Sequence, residues 1–125
     1  MEPLNRVWDI VRLARAMHRE TKTGPASALE ALRGEPKSRR YLALWQTFYA
    51  RLRVLSRHPP YAELSPLRAR NWFRSPASET ERYCRSYVLY MLAYVRGEEG
   101  VAELHRSEMK SLDVLGFVRS ALIVT

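Results

Sequence analysis

Cysteine is almost absent from this chain of 125 residues, and the residue patterns of most enzymes are absent altogether. The single cysteine, Cys84, excludes an internal disulfide and a thiolate metal cluster. No carboxylate or thiol lies at metal-ligand spacing from the three histidines, which are His18, His58 and His105. There is also no phosphate-binding glycine loop and no Ser/His/Asp or Cys/His signature. We therefore expect no catalytic residue, no metal and no cofactor, and a protein that is not an enzyme.

Long apolar runs and side-chain amides are scarce as well. The longest apolar run, residues 87–95, is much shorter than the roughly 18 residues that span a bilayer, so we expect no membrane span. Asp9 and Arg12 interrupt any signal-like segment near the first residue. The only side-chain amides are Asn5, Gln46 and Asn71. Their scarcity favours a protein from a hot environment, although a GC-rich genome would also favour arginine over lysine.

What the chain has in excess is arginine, and it is distributed unevenly. Of 21 basic residues, 18 are arginine. Residues 1–76 carry 15 basic against 6 acidic side chains, whereas residues 77–125 carry 6 against 7. A guanidinium pairs bidentately with phosphate and stacks on aromatic rings. The division predicts one structural unit in which 1–76 is a basic helical region that binds nucleic acid and 77–125 is a neutral bundle that packs against protein.

The hydrophobic periodicity is helical almost throughout, and no alternating strand pattern of useful length occurs. It predicts an all-α fold, in which an N-terminal arm or set of basic helices is followed by a small C-terminal helical bundle. Ser38 and Ser65 are expected to begin helices, and Ser78 with Glu81 forms the pattern of a capping box. Helices are predicted at about residues 3–20, 25–33, 38–57, 65–73, 78–97, 100–110 and 113–123.

The first predicted basic surface lies on the first helix. At about 100° per residue, one narrow sector holds Trp8, Arg12, Arg15 and Arg19, which we name the Trp8–Arg19 edge. An aromatic ring followed by three guanidinium groups can track a phosphate backbone. The alternative is a solvated face whose arginine stems cover Trp8. Another side of the same helix, expected to be apolar, holds Val7, Ile10, Leu13, Ala14 and Met17.

Two further basic surfaces are predicted downstream. The long helix has a core-facing side of Tyr41, Trp45, Phe48, Leu52 and Leu55. Its opposite side and the preceding basic connector (residues 34–40) form the 37–57 face, which comprises Lys37, Arg39, Arg40, Arg53 and Arg57. The 68–74 cluster interleaves cations with an aromatic ring and comprises Arg68, Arg70, Trp72 and Arg74. We predict that both surfaces bind nucleic acid, because each neutralised phosphate releases counterions.

Residues 77–125 carry a tyrosine stripe and an apolar end. Tyr83, Tyr87, Tyr90 and Tyr94 recur at 4-3-4 spacing on an otherwise apolar helix. Stacked tyrosines can bind bases, but no net positive charge accompanies these four. We therefore expect them in the core or in a subunit interface. The apolar end, which includes Leu122 and Ile123, is expected to pack in the core or against a neighbouring subunit.

The C-terminal part of the chain resembles a known helical bundle. In order, it contains Arg82-Tyr83 through Val95-Arg96-Gly97, the turn Gly97-Glu-Glu-Gly100, a helix over 101–110 and the closing Leu112-Asp-Val-Leu115. This order is similar to that in the coat proteins of rod-shaped and filamentous archaeal viruses, the rudiviruses, lipothrixviruses and tristromaviruses. The resemblance implies a pseudo-symmetric dimer, formed with itself or with a sister subunit, that wraps double-stranded DNA in a helical virion assembled in the host cytoplasm. Binding would neutralise the DNA backbone with little base reading.

Three other functions stay open from the sequence. A small all-helical subunit of a CRISPR effector complex would also line nucleic acid with basic helices, and it would prefer a guide heteroduplex or single strands. A DNA-binding transcription regulator could use residues 65–73 as part of its DNA-recognition element, although no two-helix unit with the usual short glycine turn is evident. In a pure interaction protein, the arginines would only solvate the surface. Outside a virion, the expected location is the cytoplasm.

Overall fold

The computed structural model describes residues 2–32, 34–56 and 64–122. Over these ranges every regular element is helical, which confirms the predicted all-α fold class. The α-helices are α1 (Glu2–Thr23), α2 (Pro25–Ala31), α3 (Leu42–Ser56), α4 (Asn71–Arg74), α5 (Glu79–Val95), α6 (Glu99–Ser111) and α7 (Gly116–Ala121), and a 3-10 helix (Ser65–Ala69) precedes α4. The predicted binding residue Arg57 and the predicted interface residue Ile123 lie outside the described residues.

The longer helices pack in a series that follows the chain. α1 packs on α2, α2 on α3, α3 on α5 and α5 on α6, while the 3-10 helix and α4 pack on α5. The hydrophobic core includes Phe48 and Leu52 of α3 together with Tyr87 and Val88 of α5. Because this core takes side chains from both 1–76 and 77–125, the two predicted regions share one interior.

The ends of α5 follow the local signals of the sequence. Ser78 caps the helix, since its Oγ accepts from the backbone N–H of Glu81 at 3.2 Å. The Glu81 carboxylate in turn accepts from the backbone N–H of Ala77 at 2.7 Å. The predicted capping box is therefore present, except that its second hydrogen bond comes from the residue before the N-cap rather than from Ser78 itself. Past the other end of α5, Gly97 takes a left-handed φ of 74°, which lets the chain reverse into α6.

Several predicted helix limits differ from the structure, among them the start of the last helix, which was predicted at about 113 and lies at Gly116. α3 begins at Leu42 rather than at Ser38, because Ser38 is engaged by Asp9 of α1. The helix predicted over 65–73 is interrupted at Arg70, whose extended backbone (φ −74°, ψ 147°) separates the 3-10 helix from α4. The break predicted over 21–24 is confined to Gly24, whose φ of 103° favours glycine.

Cys84 lies in the core with no exposed surface. Burial raises the pKa of its thiol from an ordinary 9.0 to about 12, so the contribution of the neutral thiol to stability is full below pH 9.0 and is lost as the pH rises toward 12. We expect the native protein to react with an aromatic disulfide reagent at least about 100-fold more slowly than the denatured protein, because thiolate and access are both lacking. Absorbance time courses with and without denaturant measure this ratio. Equal rates would mean that Cys84 is accessible in the native state.

Candidate nucleic-acid interface

A groove runs along α3 and is centred on Arg70. It consists of three adjoining hollows with volumes of about 650, 340 and 180 Å³, and both Gln46 and Arg70 line all three. Arg39 lines the largest hollow, Tyr49 lines the two smaller ones, and Arg53 lines the smallest. We name these five residues the Arg70 groove.

Helix geometry and one long-range hydrogen bond position the groove. Gln46, Tyr49 and Arg53 are three and four residues apart, so α3 presents them on one side. The Arg53 guanidinium carbon lies 5.9 Å from the centroid of the Tyr49 ring, within the range of a cation–π contact. On the other wall, Trp72 Nε1 donates to Gln46 Oε1 at 2.8 Å. This bond ties α4 to α3 and therefore holds Arg70, the residue before α4, beside the helix.

Two of the three arginines of the Arg70 groove, Arg39 and Arg70, are exposed. The exposed side chains of Arg39 and Arg70 make no hydrogen bond or ion pair within the described ranges. Among the described residues, the carboxylates that line the hollows are Glu35 and Glu81, and Glu81 already accepts a backbone hydrogen bond. A guanidinium without such a partner is free to bind phosphate through two parallel hydrogen bonds. The groove can therefore hold a phosphate backbone.

The groove unites parts of two surfaces that the sequence predicted separately. Arg39 and Arg53 belong to the 37–57 face, and Arg70 belongs to the 68–74 cluster. Three other predicted binding residues are exposed beside these segments, namely Arg40, Arg68 and Arg74. Lys37 is exposed too, but its Nζ lies 5.6 Å from the ring centroid of Trp8. The sequence identified these cations, whereas their convergence on α3 becomes visible only in the structure.

One of the predicted binding residues, Trp72, is buried in the structure. Its side chain is only 6% exposed, and its single donor is already bonded to Gln46. The ring packs edge-on against Phe73, with the two centroids 6.1 Å apart. Trp72 lines the largest hollow with little of its surface exposed, so it shapes the groove, and its contact with nucleic acid stays a prediction.

The side chains of the Trp8–Arg19 edge differ in exposure, and one of them makes contacts within the protein. The Arg12 guanidinium lies 4.5 Å from the ring centroid of Trp45 and donates to the backbone carbonyl of Glu35 at 3.3 Å. Arg15 is exposed and Arg19 is half-buried. Arg12 thus joins α1 to α3 and the connector, and the four side chains do not form one continuous surface for phosphate.

Asp9 is a structural residue that the sequence reasoning missed. Its side chain is fully buried, and its carboxylate accepts from the backbone N–H groups of Lys37 and Ser38 and from the Ser38 hydroxyl, each at 2.8 Å. These bonds hold the connector that carries Arg39 against α1. The sequence signal that could have identified Asp9 is its position four residues before Leu13, which places it on the inward face of α1. A carboxylate on that face must find hydrogen-bond partners.

Two of the four tyrosines of the stripe lie in the core. Tyr83 is 2% exposed and Tyr87 is 1% exposed, while Leu122 has no exposed surface and accepts from the Tyr83 hydroxyl at 3.0 Å through its carbonyl. The sequence left core and subunit interface open for these three residues, and their burial within the chain places them in the core. Only the far end of the stripe reaches the surface, because Tyr90 is half-buried and Tyr94 is 61% exposed, with ring centroids 6.2 Å apart.

Comparison with protein-family models, curated proteins and solved structures finds no match to this chain. Within the described ranges, no helix is both long enough and apolar enough to cross a membrane. The same residues contain no group of three histidine, cysteine, aspartate or glutamate side chains placed to hold a metal ion. The geometry of the Arg70 groove is therefore the basis on which a function can be argued.

Proposed function

We propose that this protein is a non-enzymatic nucleic-acid-binding protein that assembles on DNA without sequence preference, as a structural coat protein wrapping double-stranded DNA in a helical virion. The observation that carries the binding is the convergence of Arg39, Arg53 and Arg70 on one open groove, from the connector, α3 and the residue before α4. The choice of DNA and of a coat role rests on the resemblance of residues 82–115, a stretch that covers most of α5 and all of α6.

Binding by the groove would neutralise phosphates rather than read bases. Each guanidinium that replaces counterions along the backbone releases them to solution, which makes affinity depend steeply on salt. Base edges are read by amide and charged side chains that reach into a groove of the duplex. Two amides line the largest hollow: Gln46 already accepts a hydrogen bond from Trp72, and Asn71 is exposed beside Arg70. Three arginines accompany them along the three hollows. Charge therefore dominates the chemistry that the Arg70 groove offers, which favours binding without sequence preference.

Random-sequence linear duplex DNA tests this proposal. We expect a filter-binding or anisotropy titration to give a steep linear fall of log affinity with log salt, and negative-stain microscopy to display filaments that follow the DNA length. Single-stranded RNA of equal length is the control, and tighter binding to it would favour the CRISPR-subunit alternative. A discrete preference for one duplex sequence would favour a regulator. Absence of binding at low salt, with and without a co-expressed sister subunit, would contradict the proposal.

A further inference from the structure

α1, at one end of the packing series, exposes apolar side chains along its first three turns. Leu4, Val7, Trp8 and Val11 are 56%, 56%, 55% and 43% exposed. At about 100° per residue, the four lie within a sector of about 100°. The opposite side of the helix carries Leu13, which is fully buried. Val7 was expected on that inward side, and its exposure corrects the expectation.

The same side of α1 is basic beyond Val11. Arg15, His18 and Lys22 fall within the sector of the four apolar side chains, and all three are exposed. From Leu4 to Lys22 these side chains extend over about 27 Å of helix, at about 1.5 Å per residue. We name the four apolar and three basic side chains the outer face of α1.

No exposed carboxylate lies on the outer face, among the side chains of α1 that the structure describes. Asp9 is buried, and Glu20 pairs with Arg51 of α3 at 2.7 Å. A further cation borders the apolar part, because the Nζ of Lys37 lies 5.6 Å from the ring centroid of Trp8. In the described residues 24–32 and 34–40, exposed cations outnumber exposed carboxylates, with Lys37, Arg39 and Arg40 against Glu30 and Glu35. The outer face and its surroundings are therefore positively charged.

We propose that the outer face of α1 binds the surface of an anionic lipid bilayer, with the helix lying in the plane of the membrane. The four apolar side chains would enter the boundary between headgroups and acyl chains, while Arg15 and Lys22 contact headgroup phosphates. Trp8 suits this depth, since an amphipathic aromatic ring is favoured at the interface between membrane and water.

Charge favours a bilayer over a second copy of the chain as the partner of this face. A parallel pair of α1 helices would bring the basic halves of two outer faces together, and like charges repel. An antiparallel pair would place the basic half of each helix on the apolar half of the other, which buries charges against an apolar surface. A bilayer instead offers an apolar layer beneath an anionic surface, so it satisfies both halves of the outer face at once.

Vesicle binding tests this contact in the absence of nucleic acid. The inference goes beyond the proposed function and does not depend on it, because no residue of the Arg70 groove belongs to the outer face. We expect the protein to co-sediment at low salt with phosphatidylglycerol vesicles. Binding to phosphatidylcholine vesicles should be at least about tenfold weaker, because an anionic surface attracts basic segments. Added salt should weaken the binding to phosphatidylglycerol, since it screens that attraction.

Trp8 reports whether the outer face enters the bilayer. The other two tryptophans, Trp45 and Trp72, are 2% and 6% exposed, so Trp8 is the tryptophan at the surface. We expect lipids brominated in their acyl chains to quench part of the tryptophan emission when the protein binds. Trp8→Phe should remove this quenching and retain vesicle binding, because phenylalanine is also aromatic and apolar.

Two double variants assign the binding to the two halves of the outer face. Val7→Gln with Val11→Gln is expected to weaken binding to phosphatidylglycerol vesicles at least about tenfold, because it removes apolar area from the inserted half. Arg15→Gln with Lys22→Gln should weaken it about 30-fold, which corresponds to about fivefold for each cation near an anionic surface. Co-sedimentation over a range of lipid concentrations measures both losses.

A matched control makes the same apolar-to-polar change on α6. Val101→Gln with Leu104→Gln replaces side chains that are 42% and 70% exposed. We expect this variant to bind phosphatidylglycerol vesicles like the unmodified protein. All the substituted positions are exposed, and unchanged thermal melting verifies that the variants fold.

Several results would overturn the inference. Absence of binding to phosphatidylglycerol vesicles at low salt would do so, and so would binding without quenching of Trp8 by brominated lipid. An equal loss in the α6 control would mean that exposed apolar surface in general drives the association. A lipid-free dimer that Val7→Gln with Val11→Gln dissociates would assign the outer face to pairing between copies instead.

Discussion

Replacing Arg39 and Arg70 together with glutamine is expected to weaken binding to random-sequence duplex DNA about 60-fold near 0.1 M salt, because each lost phosphate contact removes about 0.9 from the slope of log affinity against log salt. The two side chains are exposed and make no hydrogen bond or ion pair in the described part of the chain, so their removal should leave stability unchanged. Anisotropy titrations over a range of salt concentrations measure both the affinity and the slope.

A matched control separates the groove from net charge. Arg82→Gln with Arg96→Gln removes the same charge from two exposed positions, one in α5 and one just after it, and neither residue lines the groove. We expect this variant to lose much less affinity and to keep a slope close to that of the unmodified protein. Equal losses in the two variants would mean that the whole positive surface, rather than the Arg70 groove, binds the duplex.

Asp9→Ala is expected to lower the free energy of unfolding by about 3 kcal/mol or more, because it leaves three buried or part-buried donors of Lys37 and Ser38 without their charged acceptor. For a chain of this size, that loss corresponds to a fall of roughly 10 °C in Tm. Urea and thermal denaturation followed by circular dichroism measure both quantities. Nucleic-acid binding should weaken as well, since the connector that carries Arg39 loses its attachment to α1.

Two further variants calibrate the loss at Asp9. Ser38→Ala removes one of the three hydrogen bonds and is expected to cost about 1 kcal/mol. Glu30→Ala removes an exposed carboxylate from α2 and should change stability by less than about 0.5 kcal/mol. If Asp9→Ala unfolds at the same urea concentration as Glu30→Ala, the buried carboxylate does not stabilise the connector.

The features of the fold that sequence reasoning anticipated depend on neighbours three or four residues away. Ser78 and Glu81 form the N-terminal cap of α5 within one turn. After α5 the chain reverses direction at Gly97, because glycine tolerates a positive φ. The same local reasoning failed at Ser38, which resembles a helix cap in sequence. Its partner, Asp9, is 29 residues away, and no local pattern indicates that pairing.

The candidate site was predictable only in its parts. Arg39, Arg53 and Arg70 were each identified as cations on basic segments. Their meeting depends on α4 lying against α3, through the bond between Trp72 and Gln46, which are 26 residues apart. The burial of Trp72 was not predictable for the same reason. A tryptophan beside arginines has the composition of a binding site whether its ring is exposed or buried, and only packing distinguishes the two.

By itself, the sequence determined the all-α class, the near absence of cysteine and the accumulation of arginine in residues 1–76, since helical periodicity and composition are properties of the chain before it folds. Only the tertiary structure decided which arginines are available to a ligand. Arg12 stacks on Trp45 and Arg51 pairs with Glu20, whereas Arg39 and Arg70 remain exposed in the groove. The physical reason is that a guanidinium interacts with whatever lies within a few ångströms of it in space, and helix packing sets those distances.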